Sequence, residues 1–585
     1  LLADNVTAEQ AHALAADFFK TNVQTRNTSV SPQLQLVWDG EDLSTRSTGN
    51  LPAFYVFNNT DRKGFVIIAG DDVAMPVLGY SFTDNFVVDG MPSNLKSWMN
   101  GLREQINRAR ETGLNVSDVV SKAWRGVSDM TTGDVVKQYE TAKWDQLSPY
   151  NFLCPEINRI RTVTGCVATA VAILMRYYEW PDVGTGTLPA YNYTAHINGR
   201  EISQTVPERT LGNTYAWNNM PLEYDWNSSE VTENEVATLM YDCGVMAQAE
   251  FNIASAGGTG AATLTAVRGL AEYMMLCLRR EWYSDTEWIQ MLENEIMTVG
   301  PVLYGGATLS NEGHQFILDA YTTENYFRVN WGWSGHSNGF FLISALNPDD
   351  QGAGGSTGGG FIANQDALFG LKPAKGNSNY QTLLGMLAGK TGSGESYSGL
   401  MTSETQFNVN TNFTVKCGFF WNLGLIPFSG KVALAIVDKN QNVRELISGT
   451  SSIPSMNTYG GMAFTFPCKI SLSPQPGDRI VAVYKGTNDA DWKIVRGGSD
   501  TTNEIIVKTD PTPIIETEQE TQFTVYCDKQ QGTVIAHLPE NSHTLNIYDV
   551  NGRLLRQILS EGKETITFSC REYPTGVYIL QVITD

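Results

Sequence analysis

Histidine and charge are both scarce in this chain of 585 residues. There are six histidines, and charged residues make up only 17% of the sequence. Lys and Arg total 40 against 62 Asp and Glu, so the formal net charge is −22. An acidic surface repels phosphate backbones, and we therefore expect no nucleic-acid partner. The few histidines also leave few places in which histidine-dependent chemistry can occur.

Long apolar runs and clustered cysteines are missing as well. No apolar run approaches the roughly 20 residues that a membrane helix needs, so we expect no transmembrane segment. The eight cysteines are widely spread, without a CxxC pair or zinc-like spacing, and we expect neither a metal site nor a cofactor. The chain starts at Leu1 instead of a methionine. We therefore expect its N-terminus to be incomplete, which leaves room for a signal peptide.

What the sequence does contain is ample material for buried cores. Hydrophobic residues make up 42% of the chain, which is a globular composition. The patterns predict an α+β fold class with four parts. Residues 1–125 form a small α+β unit, and residues 136–373 a mixed unit with helices first and strands later. The strand pattern of residues 374–510 predicts an Ig-like β-sandwich. That of residues 511–585 predicts a smaller all-β unit with a hairpin turn at Asn551 and Gly552.

The first unit carries clear helix signals. Thr7 and Gln10 have the spacing of a capping box. A second helix shows one apolar face and could end at Gly113; the face consists of Leu95, Trp98, Met99, Leu102, Ile106 and Ala109. The stretch 111–135 lacks strong periodicity. We interpret it as a linker in which Lys122 and Arg125 are exposed candidates for cleavage.

Cys166 occupies the most informative position. It lies between Gly165 and the apolar run VATAVAILMRYY, which predicts a helix that ends at Pro181. A helix N-terminus presents free N–H groups and a partial positive charge, which stabilise a thiolate and lower the thiol pKa. The preceding glycine lets a substrate backbone approach closely. The alternative is a buried cysteine that merely begins an ordinary core helix.

A histidine partner would favour the catalytic interpretation. His196 lies in a polar stretch and His336 in the turn SGHSNG, so both are predicted to be exposed. His314 opens the strand HQFILDAY, where a rigid strand would hold the imidazole in register. A Cys–His pair can form a thiolate and an imidazolium, and the imidazolium can protonate a leaving amine. His314 is therefore the preferred candidate, against the alternative of a non-catalytic histidine.

The segment VNWGW follows His314 and predicts the next strand of a hairpin. Asn330 supplies an amide that could orient an imidazole, and Trp331 an indole that could shield that contact from water. The order Cys, His, Asn is the papain-like order. The alternative for this segment is aromatic packing in a sheet, which we favour for Trp333.

Several long segments resemble a known family. TGCVATAVAILMRYYEWP, GHQFILDAY, FRVNWGWSGHSNGFFLISALNP and LFGLKP are similar, in this order, to the streptopain family of secreted bacterial cysteine peptidases. The resemblance covers residues 136–373. Residues 54–110, with YVFNNTDRKGFVIIAGDDVAMPVLGYS, resemble the inhibitory propeptide of that family. The resemblance therefore implies a papain-like cysteine peptidase domain behind an α+β propeptide, in the form of a zymogen.

The resemblance also implies roles for particular residues. Cys166 matches the nucleophile and His314 the general acid and base. Gln146 in WDQLSPYN matches the glutamine that forms the oxyanion hole together with the backbone N–H of Cys166. Asn330 and Trp331 match the pair that supports the histidine, and which of them does so stays open.

Substrate contacts are implied by the same resemblance. Gly313 matches a glycine that contacts substrate before the histidine. The loop FNIASAGGTG, with Ser255, Gly257 and Gly258, resembles a substrate-binding loop, although it departs from streptopain at Gly257. The glycine-rich stretch 351–360 is by itself either a linker or a mobile flap, and the resemblance favours the flap.

The C-terminal unit resembles another known module. NIYDVNGRLLRQI and PTGVYILQV are similar to C-terminal sorting domains of secreted proteins from Bacteroidetes, which implies a secreted or cell-surface protein. Four cysteines fall in the two β-units. Cys417 could pair with Cys468, and Cys527 with Cys570, or all four are free thiols.

These observations predict a secreted cysteine endopeptidase that is made as a self-inhibited zymogen. Its expected partners are protein or peptide substrates and its own propeptide as an intramolecular inhibitor. One alternative is another acyl transfer on the same fold, as in a transglutaminase or an amidase. The other is a surface-binding protein whose peptidase unit is vestigial.

Overall fold

A computed structural model describes most of the chain. In the first of two compact units, residues 1–508, the described residues are 5–22, 32–39, 51–114, 116–126, 131–254, 259, 273–307, 313–345, 365–374, 381–390, 394, 396–424, 426–439, 441–498 and 501–507. In the second unit, residues 509–585, they are 524–528, 533–538, 542–548, 554–560, 563, 565–569 and 578–584. None of the described helices has the length and hydropathy needed to cross a lipid bilayer.

Where the structure describes the N-terminal segment, it has three helices and four strands. They are α1 Ala8–Asn22, β1 Leu34–Trp38, β2 Phe54–Asn59, β3 Phe65–Ala69, β4 Val77–Ser81, α2 Ser93–Thr112 and α3 Asp118–Arg125. The capping box at α1 is confirmed, because the Gln10 N–H donates to Thr7 Oγ1 at 3.2 Å and the Thr7 N–H donates to Gln10 Oε1 at 2.8 Å. The apolar face of α2 is buried as predicted, and Gly113 ends the helix with φ 63°.

The interpretation of residues 111–135 as a linker is wrong for its middle part. Helix α3 starts at Ser117, whose hydroxyl accepts from the Val120 N–H at 3.2 Å, and Val120 is fully buried. The Trp124 indole N–H donates to the Ala74 carbonyl at 2.8 Å and so fixes the helix to the N-terminal segment. Lys122 and Arg125 are exposed as expected, but they lie on a helix.

The described residues of the range 135–373 include three longer helices and a set of strands. The helices are α4 Cys166–Tyr178, α5 Glu230–Met246 and α6 Asp285–Thr298. The strands are β5 Val135–Gln138, β6 Glu156–Ile157, β7 Ile160–Arg161, β8 Thr187–Leu188, β9 Tyr191–Ile197, β10 Arg200–Val206, β11 Arg209–Thr210, β12 Tyr273–Arg279, β13 Val302–Ala307, β14 Gly313–Thr322, β15 Tyr326–Asn330, β16 Gly339–Leu342 and β17 Asp366–Pro373. The predicted order of helices before the main strands is confirmed, and so is the hairpin of β14 and β15, in which Ile317 pairs with Asn330.

One antiparallel sheet joins the N-terminal segment to this part of the chain. Its order is β1-β2-β3-β4-β16-β15-β14-β13-β17-β12, with β5 paired to β14. At the junction of β4 and β16, Gly79 pairs with Phe341. A Cβ on Gly79 would lie 2.8 Å from the Phe341 ring and 3.1 Å from the Phe340 carbonyl oxygen. The close approach of the two strands therefore requires glycine at this position.

The sheet separates two hydrophobic cores. On one face, Leu303, Ile317 and Leu368 share a core with α4 and Cys166. On the other face, Tyr304, Phe316 and Ala367 share a core with α2. Helix α2 contributes five buried side chains to the second core: Leu95, Trp98, Met99, Leu102 and Ile106. The N-terminal segment therefore completes the core on the side of the sheet opposite to α4.

Residues 381–507 form the expected β-sandwich, and no helix occurs among those that the structure describes. The strands are β18 Leu384–Leu387, β19 Gly389–Lys390, β20 Ser396–Tyr397, β21 Leu400–Met401, β22 Asn412–Asn422, β23 Phe428–Val437, β24 Val443–Leu446, β25 Ser451–Met456, β26 Gly461–Lys469, β27 Arg479–Gly486, β28 Lys493–Ile494, β29 Arg496–Gly497 and β30 Glu504–Ile506. Cys417 and Cys468 are free. They are not cross-strand neighbours, since Cys417 lies opposite Phe464 and Cys468 opposite Phe413.

The described residues of the second unit form two three-stranded sheets. One is β31 Thr524–Asp528, β32 Thr533–His537 and β35 Thr565–Ser569, and the other is β34 Leu554–Leu559, β33 Ser542–Tyr548 and β36 Ile579–Thr584. The predicted hairpin of β33 and β34 is confirmed. Its turn at Asn551 and Gly552, and Cys570, lie outside the described residues.

Candidate active site

Cys166 is the first residue of α4, and the preceding turn fixes its position. Gly165 has φ 87°, a backbone conformation that favours glycine. A Cβ on Gly165 would lie 2.8 Å from the Thr259 carbonyl oxygen. The Thr169 hydroxyl donates to the Gly165 carbonyl at 2.9 Å and lies 2.8 Å from the Thr164 hydroxyl. The sharp turn therefore presents the thiol at the helix N-terminus, as the sequence predicts.

The direction of the Cys166 pKa differs from the expectation. The side chain is 8% exposed, and burial raises the pKa of the thiol. The backbone N–H groups of Gln315, Val167 and Cys166 itself oppose this rise, as a helix N-terminus should. The prediction of a lowered pKa is wrong for this state of the molecule, because desolvation exceeds the effect of the N–H groups.

Strand β14 brings the predicted histidine position to the nucleophile. The Gln315 N–H interacts with the Cys166 thiol, and Gln315 directly follows His314 in the strand. The backbone of His314 pairs with Gly306 on β13, and Gly313 pairs with Ala307. The side chain of His314 lies outside the described part of the structure. Cys166 therefore meets the strand that carries position 314, although the two positions are far apart in sequence.

Gln146 lies beside the same turn. Its carbonyl oxygen accepts from the Thr164 N–H at 3.2 Å, and Thr164 stands two positions before Cys166 in the chain. The Gln146 N–H donates to Asp145 Oδ1 at 2.5 Å, so the side chain of the preceding residue fixes this loop. Gln146 itself is half-buried. The structure thus brings Gln146 close to Cys166, where an oxyanion hole is expected.

Asn330 is buried and already has several partners. Its Nδ2 donates to Thr141 Oγ1 and to the Ala142 carbonyl, both at 2.9 Å. Its Oδ1 accepts from the Gly332 N–H at 3.1 Å. These contacts hold the turn that follows β15, and the described residues supply a donor to one of the two lone pairs of Oδ1.

Trp331 is buried in an aromatic cluster on the opposite face of the sheet. Its ring centroid lies 5.0 Å from that of Phe316 and 6.0 Å from that of Trp98 in α2. Its indole N–H donates to the Ser337 carbonyl at 3.0 Å. The side chain therefore packs against the N-terminal segment.

Asn94, which the sequence did not single out, links α2 to both strands at the site. It is 1% exposed, and its Nδ2 donates to the Trp331 carbonyl at 2.8 Å and to the Gln315 carbonyl at 3.3 Å. Its Oδ1 accepts from the Leu95 N–H at 2.8 Å. One side chain of the N-terminal segment therefore donates hydrogen bonds to the carbonyl group of Trp331 and to that of Gln315, the residue after His314. The only signal in the sequence was a polar residue directly before the buried face of α2.

The other candidates are placed as follows. His196 and His336 are exposed, as predicted, although His196 belongs to β9 and not to a loop. Trp333 is half-buried and packs against the core that contains α2. Ser255, Gly257, Gly258 and the glycine-rich stretch 351–360 lie outside the described residues.

Comparison with known protein families gives three matches. Residues 144–341 match the peptidase C10 family, and residues 3–106 match the Spi protease inhibitor. Residues 524–585 match the secretion system C-terminal sorting domain, which assigns the chain to secretion or the cell surface.

Individual relatives agree with these matches. The chain is 30% identical to the thiol protease/hemagglutinin PrtT of Porphyromonas gingivalis over 387 residues, which are 64% of this chain and 42% of that protein. It is 30% identical to streptopain of Streptococcus pyogenes over 340 residues, which are 54% of this chain and 80% of streptopain. A fragment of prointerpain A from Prevotella intermedia is 28% identical, covers 59% of this chain and 100% of that fragment, and has a TM-score of 0.43. The resemblance seen in the sequence motifs is thereby confirmed, and the chain belongs to the peptidase C10 family, the cysteine peptidases related to streptopain.

Proposed function

We propose that the protein is a secreted cysteine endopeptidase held inactive by its own propeptide. The observation that carries this proposal is the meeting of the Cys166 thiol, at the N-terminus of α4, with strand β14 directly beside His314. Family membership supports the same chemistry. The approach of Gln146 to the turn before Cys166 supports an oxyanion hole at this point.

The reaction would proceed through an acyl-enzyme. The thiolate of Cys166 attacks the peptide carbonyl carbon, while the Cys166 N–H and the Gln146 side chain stabilise the oxyanion. The imidazolium of His314 gives its proton to the leaving amine as the C–N bond breaks. Water, deprotonated by His314, then hydrolyses the thioester and restores the thiol. Asn330 or Trp331 would orient the imidazole.

Inhibition by the propeptide is supported by the contacts of α2. Asn94 donates hydrogen bonds to the carbonyl groups of Gln315 and Trp331, and Trp98 packs against the Trp331 ring. Gln105 Oε1 also accepts from the Ser344 hydroxyl at 3.0 Å and the Ala345 N–H at 2.9 Å. The propeptide thereby holds the ends of the strands that carry the site. Cleavage in the region 120–135 would separate it from the peptidase domain.

Labelling of Cys166 by a peptidyl electrophile tests the proposed function. The processed protein should be labelled at Cys166 and should hydrolyse casein, without incorporating a primary amine into it. Amine incorporation without net hydrolysis would instead indicate a transglutaminase. Failure of both labelling and hydrolysis after removal of the propeptide would indicate a vestigial site.

Gly165→Ala is expected to lower kcat/KM by roughly 100-fold, because displacing a catalytic group by about 1 Å has an effect of this size. The new Cβ would meet Thr259 backbone at 2.8 Å, and alanine is strained at φ 87°. Steady-state kinetics of the processed enzyme measure the effect, and thermal unfolding reports on stability. Gly212→Ala is the matched control, since a Cβ there meets nothing within 4 Å. Equal kcat/KM for the two variants would show that the turn at Gly165 does not position the nucleophile.

A further inference from the structure

The turn that leads into Cys166 is held by two different segments of the chain. The Thr164 N–H donates to the Gln146 carbonyl at 3.2 Å. The preceding residue bonds elsewhere, because the Val163 N–H donates to the Asn252 carbonyl at 3.0 Å. The turn therefore lies between the segment that carries Gln146 and a second segment that includes Asn252.

Thr259 fixes this second segment to the turn through its hydroxyl. The hydroxyl donates to the Val163 carbonyl at 2.7 Å and accepts from the Asn252 N–H at 3.0 Å. Since a hydroxyl has one proton and can accept at the same time, both contacts form together. With the bond from the Val163 N–H to Asn252, they close a ring of three hydrogen bonds. All three residues of this ring are at most 9% exposed.

The Thr259 hydroxyl stands where two backbones would otherwise pair directly. In a hydrogen-bonded antiparallel pair, each residue donates its N–H to the carbonyl of the other. Here Val163 donates to Asn252 directly, but the return contact runs through the hydroxyl. A direct N–H···O bond is about 2.9 Å long, so the inserted oxygen keeps these two groups further apart than direct pairing would. Thr259 thereby sets the spacing between the turn and the Asn252 segment.

The backbone of Thr259 approaches the same turn at a second point. A Cβ on Gly165 would lie 2.8 Å from the Thr259 carbonyl oxygen and 3.0 Å from the Thr259 Cβ. Gly165 directly precedes Cys166, and Val163 stands three positions before it. A displacement of Thr259 is therefore passed to the nucleophile through very few backbone bonds.

We propose that Thr259 is a positioning residue for the nucleophile. Its hydroxyl fixes the turn from the side of Asn252, and this holds the Cys166 thiol in register with the oxyanion hole expected at Gln146. The inference rests on the proposed function, since it concerns the same reaction. Thr259 acts through Val163 and Gly165, and no covalent step involves it.

Thr259→Val in the processed enzyme tests the proposal. The variant keeps the branched shape but places a methyl group where the hydroxyl lies. Nonbonded contacts of carbon need about 3.5 Å, so Val163 and Asn252 must move away from this group. We expect kcat for a fluorogenic peptide to fall by roughly 10- to 100-fold while KM stays within about threefold, because a small displacement of the thiol impairs the reaction more than binding.

Alkylation of Cys166 by iodoacetamide separates displacement of the thiol from general damage to the site. This reagent needs a reactive thiol but no oxyanion hole. A charge pair weakens only slowly with distance, so the alkylation rate of Thr259→Val should stay within about threefold of wild type. A fall in alkylation as large as the fall in kcat would show that the site as a whole is damaged, and would overturn the positioning role.

Two further variants serve as controls. Thr259→Ser retains the hydroxyl, and its kcat should stay within about threefold of wild type. Thr194→Val makes the same chemical change at an exposed position of β9 and should leave kcat, KM and alkylation unchanged. An unchanged kcat in Thr259→Val, or a Thr259→Ser enzyme that is equally slow, would show that the hydroxyl does not position the nucleophile.

Thr259→Ala provides a second comparison if Thr259→Val fails to fold, which thermal unfolding detects. Alanine also lacks the hydroxyl, so its kcat should lie at least roughly tenfold below that of Thr259→Ser. Equal kcat for these two variants would overturn the role of Thr259 and leave the peptidase intact. A processed wild type that hydrolyses no peptide would overturn both this inference and the proposed function.

Discussion

Cys166→Ala should abolish hydrolysis of peptide substrates, with kcat/KM lower by roughly 10⁵-fold or more. The Cys166 thiol interacts with the backbone of strand β14 at position 315, and alanine offers no atom that can form the acyl-enzyme. The substitution removes one buried sulfur atom and leaves the Cβ methyl group, which is a small change, so the fold should persist. Hydrolysis of a fluorogenic peptide by the processed enzyme measures the effect, with thermal unfolding as the check on the fold.

Cys277→Ser is the matched control for this substitution. Cys277 is another cysteine of the same part of the chain, half-buried on β12. Its replacement should leave kcat/KM within about threefold of wild type. A Cys166→Ala protein that still turns over peptide at more than about one hundredth of the wild-type rate would contradict the assignment of the nucleophile.

The same variant decides whether activation is self-cleavage. If the propeptide is removed by the enzyme's own action, full-length Cys166→Ala should stay intact during purification, while the wild type is cut in the region 120–135. Mass spectrometry of the fragments locates the cut. Cutting of the variant in the absence of other proteases would refute self-cleavage and leave the peptidase activity untouched.

Local patterns were sufficient to predict the elements that carry the site. Helix α4 follows from its apolar run, and the hairpin of β14 and β15 follows from two apolar segments, because both signals are contained in short stretches of sequence. The order of Cys166, His314 and Asn330 along the chain then indicated the chemistry of a papain-like cysteine peptidase. Helix α3 was missed because it is only eight residues long, so that its apolar spacing at Val120, Ala123 and Trp124 spans little more than one turn.

Contacts between distant segments were not predictable in the same way. The role of Asn94 depends on the docking of α2 across the sheet, which joins residues more than 200 positions apart in the chain. The raised pKa of Cys166 is also a consequence of tertiary burial. A helix N-terminus is visible in the sequence, but the desolvation that outweighs it is not.

Asn94→Ala should make the active site of the uncleaved chain accessible. The substitution leaves the buried carbonyl groups of Gln315 and Trp331 without this donor, at about 1–3 kcal/mol. Each 1.4 kcal/mol is a factor of about ten in the population of the open state. The rate at which a peptidyl electrophile labels Cys166 in the full-length chain should therefore rise by roughly 10- to 100-fold.

Combining Asn94→Ala with Trp98→Ala should have a larger effect on the same rate. Trp98 is 2% exposed and packs against Trp331 and Phe316, and truncation of a buried tryptophan destabilises packing by about 3–5 kcal/mol. The two changes together predict labelling at least roughly 10³-fold faster than in wild type. Labelling is quantified only in the full-length band on a denaturing gel, so that chains whose propeptide has already been cleaved do not contribute to the measured rate.

Lys96→Ala separates the loss of these contacts from a general loss of helix α2. Lys96 lies on the same helix between the two residues but is exposed, and its replacement should leave the labelling rate near that of wild type. Equal labelling of the double variant and the wild type would mean that α2 does not keep the site closed. Latency would then have to come from the raised thiol pKa alone, because burial disfavours the thiolate whether or not Asn94 occupies the two carbonyl groups. In that case labelling of the wild type should increase with pH, while the double variant follows the same pH profile.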